Sequence, residues 1–168
     1  MITTTTEQIA LSFRGKTVRA YKLTISSEIA LNIDAAWELV KTSGLLCFVS
    51  REMVSFRPLG GRFPKAWQEN ETVRTKMSIY GIVPFGGVHS IYFEKIDDMG
   101  RVMQTRERDC FARVWDHRIS MEEVAVGHIR YRDEVVIYAG IFSRPVAYWA
   151  RAFYIHRQKR WRLLARVT

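Results

Sequence analysis

The last twenty-six residues, Ser143 to Thr168, read SRPVAYWARAFYIHRQKRWRLLARVT and contain no glycine, no acid and one proline. Ser143 suits an N-cap, and Pro145 falls in the first turn, where a missing N–H costs nothing. At about 100° per residue, Val146, Ala147, Trp149, Ala150, Phe153, Tyr154, Trp161, Leu164 and Ala165 share one arc of roughly 160°. Arg144, Arg151, Lys159, Arg162 and Arg166 lie opposite, and Arg157 alone interrupts the apolar arc. The pattern predicts a long amphipathic helix that has to lie on a large apolar surface.

That helix also holds most of the chain's positive charge. The net charge is +9, and the segment from Ser143 onward has seven Arg and Lys with no Asp or Glu. The other residues hold nineteen basic and seventeen acidic side chains. A basic helix face suits an anionic membrane surface or simply solvent, and with no matching basic surface elsewhere nucleic acid is disfavoured. Cys47 and Cys110 have no metal or redox spacing, which with the absence of a basic-then-apolar leader predicts a reducing, cytoplasmic setting. No metal or cofactor is implied by the spacing of any ligand-type residues.

The chain read in order predicts one domain. Residues 1–20, with four consecutive threonines, are expected as a flexible lead-in, and residues 21–168 as the domain itself. Tyr21 to Ile29 alternates as a strand should. Asn32 can cap a helix carrying Ile33, Ala36, Trp37 and Val40 at helical spacing, with Ser43-Gly44 at its end and a second short helix over LLCFVS. Six strands follow: MVSFRPL, TVRTKMSIY, VHSIYFEKI, RVMQTRERD, VWDHRISME and HIRYRDEVVIY, with a turn expected in GIVPFGG. Consecutive strands with short connections form an antiparallel meander, and one face of it needs the terminal helix as cover. The predicted class is α+β: a curved antiparallel sheet of six to seven strands wrapped around a long C-terminal helix, with two short helices after the first strand.

The last hairpin can be registered by centring its turn on Ala125. This pairs Met121 with Ile129, Ile119 with Tyr131, His117 with Asp133 and Trp115 with Val135, and turns Asp116, Arg118, Arg130, Arg132 and Glu134 to water. A parallel argument for the preceding pair sets Glu107 beside His117. Glu107, His117 and Asp133 then form a polar row on an apolar face opposite Arg157. Such a row reads as a satisfied buried network or as the polar end of a ligand cavity. His117 held by Asp133 would serve as an acid–base pair if the site is catalytic.

The chain resembles the START-like (SRPBCC) superfamily of polyketide cyclases and dehydrases, lipid-transfer domains and the birch-pollen allergen fold. The resemblance rests on the element order, on Ile29 through Trp37, and on the Gly-x-x-Pro turn at Gly81 to Pro84. It rests also on Trp115-Asp116-His117-Arg118-Ile119, Tyr131-Arg132-Asp133-Glu134 and His156-Arg157-Gln158-Lys159-Arg160-Trp161, which are similar to a bacterial branch of the superfamily. Leu31 and Asn32 stand where Ala-Pro is usual. The resemblance implies a helix-grip fold with a cavity for a small, mostly hydrophobic molecule.

The expected function is binding or transport of such a molecule. Tyr92, Trp115, Ile119, Tyr131, Trp149 and Phe153 are the expected walls, and Glu107, His117, Asp133 and Arg157 the polar contacts. Two other readings stand beside it: a cyclase- or dehydrase-like enzyme using His117 and Asp133, and a module binding anionic lipid or nucleic acid through the basic helix.

Overall fold

The computed structural model describes residues 1–166; Val167 and Thr168, where the predicted terminal helix was expected to end, lie outside the described residues. The chain order is β1 (Ile2–Phe13), β2 (Lys16–Ile29), α1 (Ile33–Val40), α2 (Ser43–Ser50), β3 (Val54–Pro58), β4 (Thr72–Ile79), β5 (Val83–Asp97), β6 (Val102–Arg108), β7 (Val114–Ala125), β8 (His128–Tyr138) and α3 (Ser143–Leu164). One antiparallel sheet runs in the order β1-β2-β8-β7-β6-β5-β4-β3. The helix-grip expectation holds, with eight strands in place of six to seven.

The extra strand is β1, so residues 1–20 are not a lead-in. Threonine is β-branched and favours extended backbone, and β1 pairs with β2 from Ile2↔Ser27 to Phe13↔Lys16. Arg14 and Gly15, at φ 51° and 75°, make a two-residue hairpin turn that matches strand twist. Arg151 of α3 donates to Thr4 Oγ1 at 2.8 Å, fastening the strand to the helix.

The pleat sends alternate residues to a single inner face. Leu23, Ile25 and Ile29 of β2, Ile91 and Phe93 of β5, Met103 of β6, Trp115, Ile119 and Met121 of β7, and Ile129, Val135 and Ile137 of β8 are all buried there. The outer face carries ion pairs in water, among them Arg106–Glu94 and Lys22–Glu134. On the inner face α3 buries Ala147, Ala150, Phe153, Tyr154 and Trp161, which accounts for the width of its apolar arc. Ser143 is the first helical residue and not the cap: its Oγ accepts from Ala139 N–H at 2.9 Å and donates to Gly140 O at 2.7 Å.

The two short helices close one side of the enclosure. Asn32 caps α1 by accepting from Asp34 N–H at 2.9 Å and Ala35 N–H at 3.2 Å. Ser43-Gly44 opens α2 and does not end α1; Thr42 caps α2 by accepting from Leu45 N–H at 3.2 Å. Trp37, fully buried, donates its indole N–H to Asp98 in the β5–β6 turn at 2.6 Å, tying α1 to that hairpin. The turn expected across GIVPFGG spans only residues 80–82. Pro84 and Phe85 already pair with β4, and Gly86 and Gly87, both at positive φ, form a bulge that bends β5 around α3.

Candidate functional site

Registers near the site differ from the expected ones by two residues. Glu107 lies opposite Trp115 and Thr105 opposite His117, while His117 lies opposite Val135 and Ile119 opposite Asp133. For β7 and β8 the cause is the last turn, which is built on Val126-Gly127 with a bulge between Glu123 and Ala125. A slip of two preserves the face, so the polar row survives and its members meet diagonally.

Asp133 is fully buried and accepts three hydrogen bonds. His117 Nε2 lies 2.8 Å from Oδ1, the Tyr131 hydroxyl reaches the same oxygen at 3.3 Å, and Gln158 Nε2 donates to Oδ2 at 2.7 Å. A carboxylate accepts only, which assigns the imidazole proton to Nε2. Gln158 in turn accepts from the Ser27 hydroxyl, so β2, β8, β7 and α3 are joined by one chain of bonds.

Two residues outside the predicted row, His89 and Asp109, complete it. His89, 3% exposed, stands between two carboxylates: Nδ1 is 2.9 Å from Asp109 and Nε2 is 2.8 Å from Glu107. Burial by itself would lower the His89 pKa, but the bonds and charges of Asp109 and Glu107 outweigh it and push it up to about 9. The ring is therefore an imidazolium at neutral pH. Glu107 responds in the opposite sense: burial would raise its pKa, and His89, the His117 charge interaction and the Thr105 hydroxyl at 2.7 Å hold it below the usual carboxylate value. Glu107 Oε1 also lies 3.9 Å from His117 Nδ1. Asp109–His89–Glu107 and His117–Asp133 thus form one nearly continuous ladder across β5, β6, β7 and β8. The signal for His89 was its phase with Ile91 and Phe93, and for Asp109 its phase with Glu107.

Gly86 is fitted to this clamp. Its φ is +71°, and a Cβ there would come 2.6 Å from Asp109 Oδ2. Gly86→Ala is expected to destabilise by about 1–3 kcal/mol through left-handed strain and displacement of Asp109. Chemical denaturation at neutral pH checks it, and a variant as stable as the parent would mean that Asp109 moves aside freely.

Arg157, 6% exposed, is buried in the apolar arc as expected. It forms no ion pair within the described residues, and its Nε has no hydrogen-bond partner. The guanidinium lies 5.2 Å from the Tyr154 ring centroid and 5.7 Å from that of Phe153. Asp133 acts on it through space, with both carboxylate oxygens already engaged. Arg157→Leu therefore strips no hydrogen bond from an acid. The expected cost is the loss of two cation–π contacts and of the interaction with the Tyr131 hydroxyl, about 1–2 kcal/mol, below the roughly 3–5 kcal/mol that a direct buried pair would give. Thermal unfolding distinguishes the two values.

A cavity of about 90 Å³ lies above the ladder. Glu107, Trp115, His117, Ile119, Tyr131, Trp149, Phe153 and Arg157 all border it, as do His89, Asp109, Thr105 and Tyr154. Asp133 stands behind His117 and does not border the space. Tyr92 is a correction: Ile91 and Phe93 point inward, so Tyr92 points out and donates to Asn70 at 3.0 Å. Val40, Leu45 and Leu46 from the short helices, and Met77 and Phe85 from β4 and β5, complete the apolar walls. No cluster of metal-ligand type occurs among the described residues.

This arrangement of curved sheet and gripped helix recurs among solved structures. Norcoclaurine synthase from Thalictrum flavum, solved with dopamine and hydroxybenzaldehyde, superposes with a TM-score of 0.65 at 10% identity, over 94% of this chain and 95% of that one. The fold is START-like. Ginseng major latex-like protein 151 from Panax ginseng gives a TM-score of 0.61 at 11% identity, over 87% and 97% of the two chains. The Zhui aromatase/cyclase from a Streptomyces species gives 0.58 at 12% identity, over 87% and 91%. No protein-family model matches the sequence, and no curated protein matches it. At these identities the START-like likeness establishes architecture and leaves activity to the site.

Proposed function

We propose that the protein binds a small, mostly apolar molecule between the sheet and α3, with its polar end against the ladder. The observation that carries this reading is the meeting, in one enclosed space, of aromatic and aliphatic walls with Glu107, His117 and Arg157. Pockets that hold small molecules combine apolar lining with a few convergent polar groups. A purely structural network would need no space in front of it.

The size of the space has a consequence. An apolar cavity of about 150 Å³ suffices for benzene, so about 90 Å³ requires the walls to move before a larger guest fits. Trp149 stacks on Phe153 with centroids 5.4 Å apart and borders Phe85 at 6.2 Å, which makes this aromatic group the wall to shift. Anilinonaphthalene sulfonate is expected to fluoresce on binding at one site, and Ile119→Trp, which fills the space from the sheet side, to weaken that binding at least about tenfold. Unchanged dye affinity in a folded Ile119→Trp protein would reject the chamber as the site.

A second reading is acid–base chemistry on the bound molecule. It is favoured by His117, which borders the chamber while Asp133 fixes its tautomer from behind. In that case His117→Gln would abolish turnover of a bound substrate and leave its affinity nearly unchanged.

A further inference from the structure

The cations of α3 do not make a single surface. Arg151 is engaged with Thr4, Arg157 is buried, and Arg160 lies over Phe48 and pairs with Glu52 at 2.9 Å. Arg144 instead joins a different cluster, at the end of the sheet where β8 passes into α3. An open groove there is bordered by Arg19, Arg113 and Arg144, together with Tyr138, Phe142 and Tyr148. No Asp or Glu borders it, and none of the three arginines forms an ion pair within the described residues. Asp109, at the root of the neighbouring β6–β7 loop, has a side chain only 1% exposed and is committed to His89.

Large apolar side chains stand in water beside these cations. Ile141 is 90% exposed, Phe142 53%, Tyr148 59% and, on the β6–β7 loop, Phe111 45%. The two loops adjoin, since a Cβ on Gly140 would lie 3.8 Å from Arg113 Cζ. Water disfavours such tips, and nucleic acid would satisfy the cations and leave Ile141 and Phe142 without a partner. An anionic bilayer satisfies both: its headgroups attract cations, and its interfacial zone accepts apolar and aromatic tips.

We infer that this end of the molecule docks on an anionic lipid surface, with Ile141 and Phe142 entering the interface and Arg19, Arg113 and Arg144 meeting the headgroups. The same face leads inward. Phe111 stacks on Phe85 with centroids 5.0 Å apart, and Phe85 meets Trp149 at the chamber wall. An apolar molecule leaving the bilayer here has an aromatic path to the chamber. The docking itself does not depend on what the chamber holds.

The test is flotation with vesicles of phosphatidylcholine alone and of phosphatidylcholine with phosphatidylglycerol, at low salt. Binding is expected only with phosphatidylglycerol. The combined change Arg19→Gln, Arg113→Gln and Arg144→Gln is expected to weaken it on the order of 100-fold, about fivefold per cation. The pair Ile141→Asp and Phe142→Asp is expected to abolish it with Tm and dye binding in the chamber unchanged, because both side chains are solvent-exposed. No flotation with phosphatidylglycerol vesicles would overturn the inference. So would flotation undiminished in the Ile141/Phe142 pair, or retention on single-stranded DNA that survives in that pair without vesicle binding.

Discussion

Asp133→Ala is expected to lower the unfolding free energy by about 3–5 kcal/mol, a drop in Tm of roughly 10 °C for a domain of this size. The change deprives His117, Gln158 and Tyr131 of their common acceptor and removes the nearest negative charge from Arg157. Each group is buried, so water cannot replace the lost partner. Asp133→Asn separates the contributions. Its oxygen can still receive His117, but its amide then faces the Gln158 amide, donor against donor. Rotating Gln158 would relieve that clash but reverse its bond with Ser27 and turn its amide nitrogen away from Ile25 O. The expected cost for Asn is about 1–3 kcal/mol. Equal stability of all three proteins in thermal melts would show that the ladder is not what fastens α3 to β8.

The same residue shows which parts of the site could be read in the sequence. The face of each strand follows from a period of two, so His117, Glu107 and Asp133 could be placed inward without knowing their partners. Register depends on turn geometry: the turn on Val126-Gly127 moves the pairing by three and the bulge beside Ala125 takes one back, so every pair of the last hairpin slips by two. The diagonal His117–Asp133 bond survives because both side chains are long enough to lean along the strand. Tyr92 failed for the converse reason: aromatic character suggested a wall, while its parity with Ile91 and Phe93 assigned it to the outer face. His89 was open to the same parity test that found Glu107, through its phase with Ile91 and Phe93, but it lies outside the two strand pairs whose register could be argued from their turns. Strand β1 was concealed by composition, since this edge strand opens on threonines and confines its apolar alternation to Ile9, Leu11 and Phe13. Arg157 was legible as a charge in an apolar arc. Its partners were not, because the cation rests on aromatic faces, meets the Tyr131 hydroxyl and receives the field of Asp133 through space.

His89 gives the second large effect, and its sign follows from linkage. The folded pKa of about 9 exceeds the reference value of 6.5, so the protonated ring is held more tightly in the folded protein. The resulting stabilisation is full below the reference value and disappears as pH rises through about 9. A shift of this size corresponds to roughly 3 kcal/mol, shared between the two bonds to Asp109 and Glu107 and not to be added again for the carboxylates. Glu107 sets the acid limb: its lowered pKa contributes stability above the ordinary carboxylate value, which is lost as pH falls through the folded one. The clamp therefore contributes most between the two limbs, and raising the pH from about 6 to about 9.5 should remove roughly 3 kcal/mol in urea unfolding. His89→Gln should be less stable at the lower pH and should lack this alkaline loss. Gln donates through one amide and carries no charge, so it cannot hold two ionised carboxylates together. An alkaline loss of the same size in His89→Gln would assign the titration to another group and leave the Asp109–His89–Glu107 clamp without an energetic role.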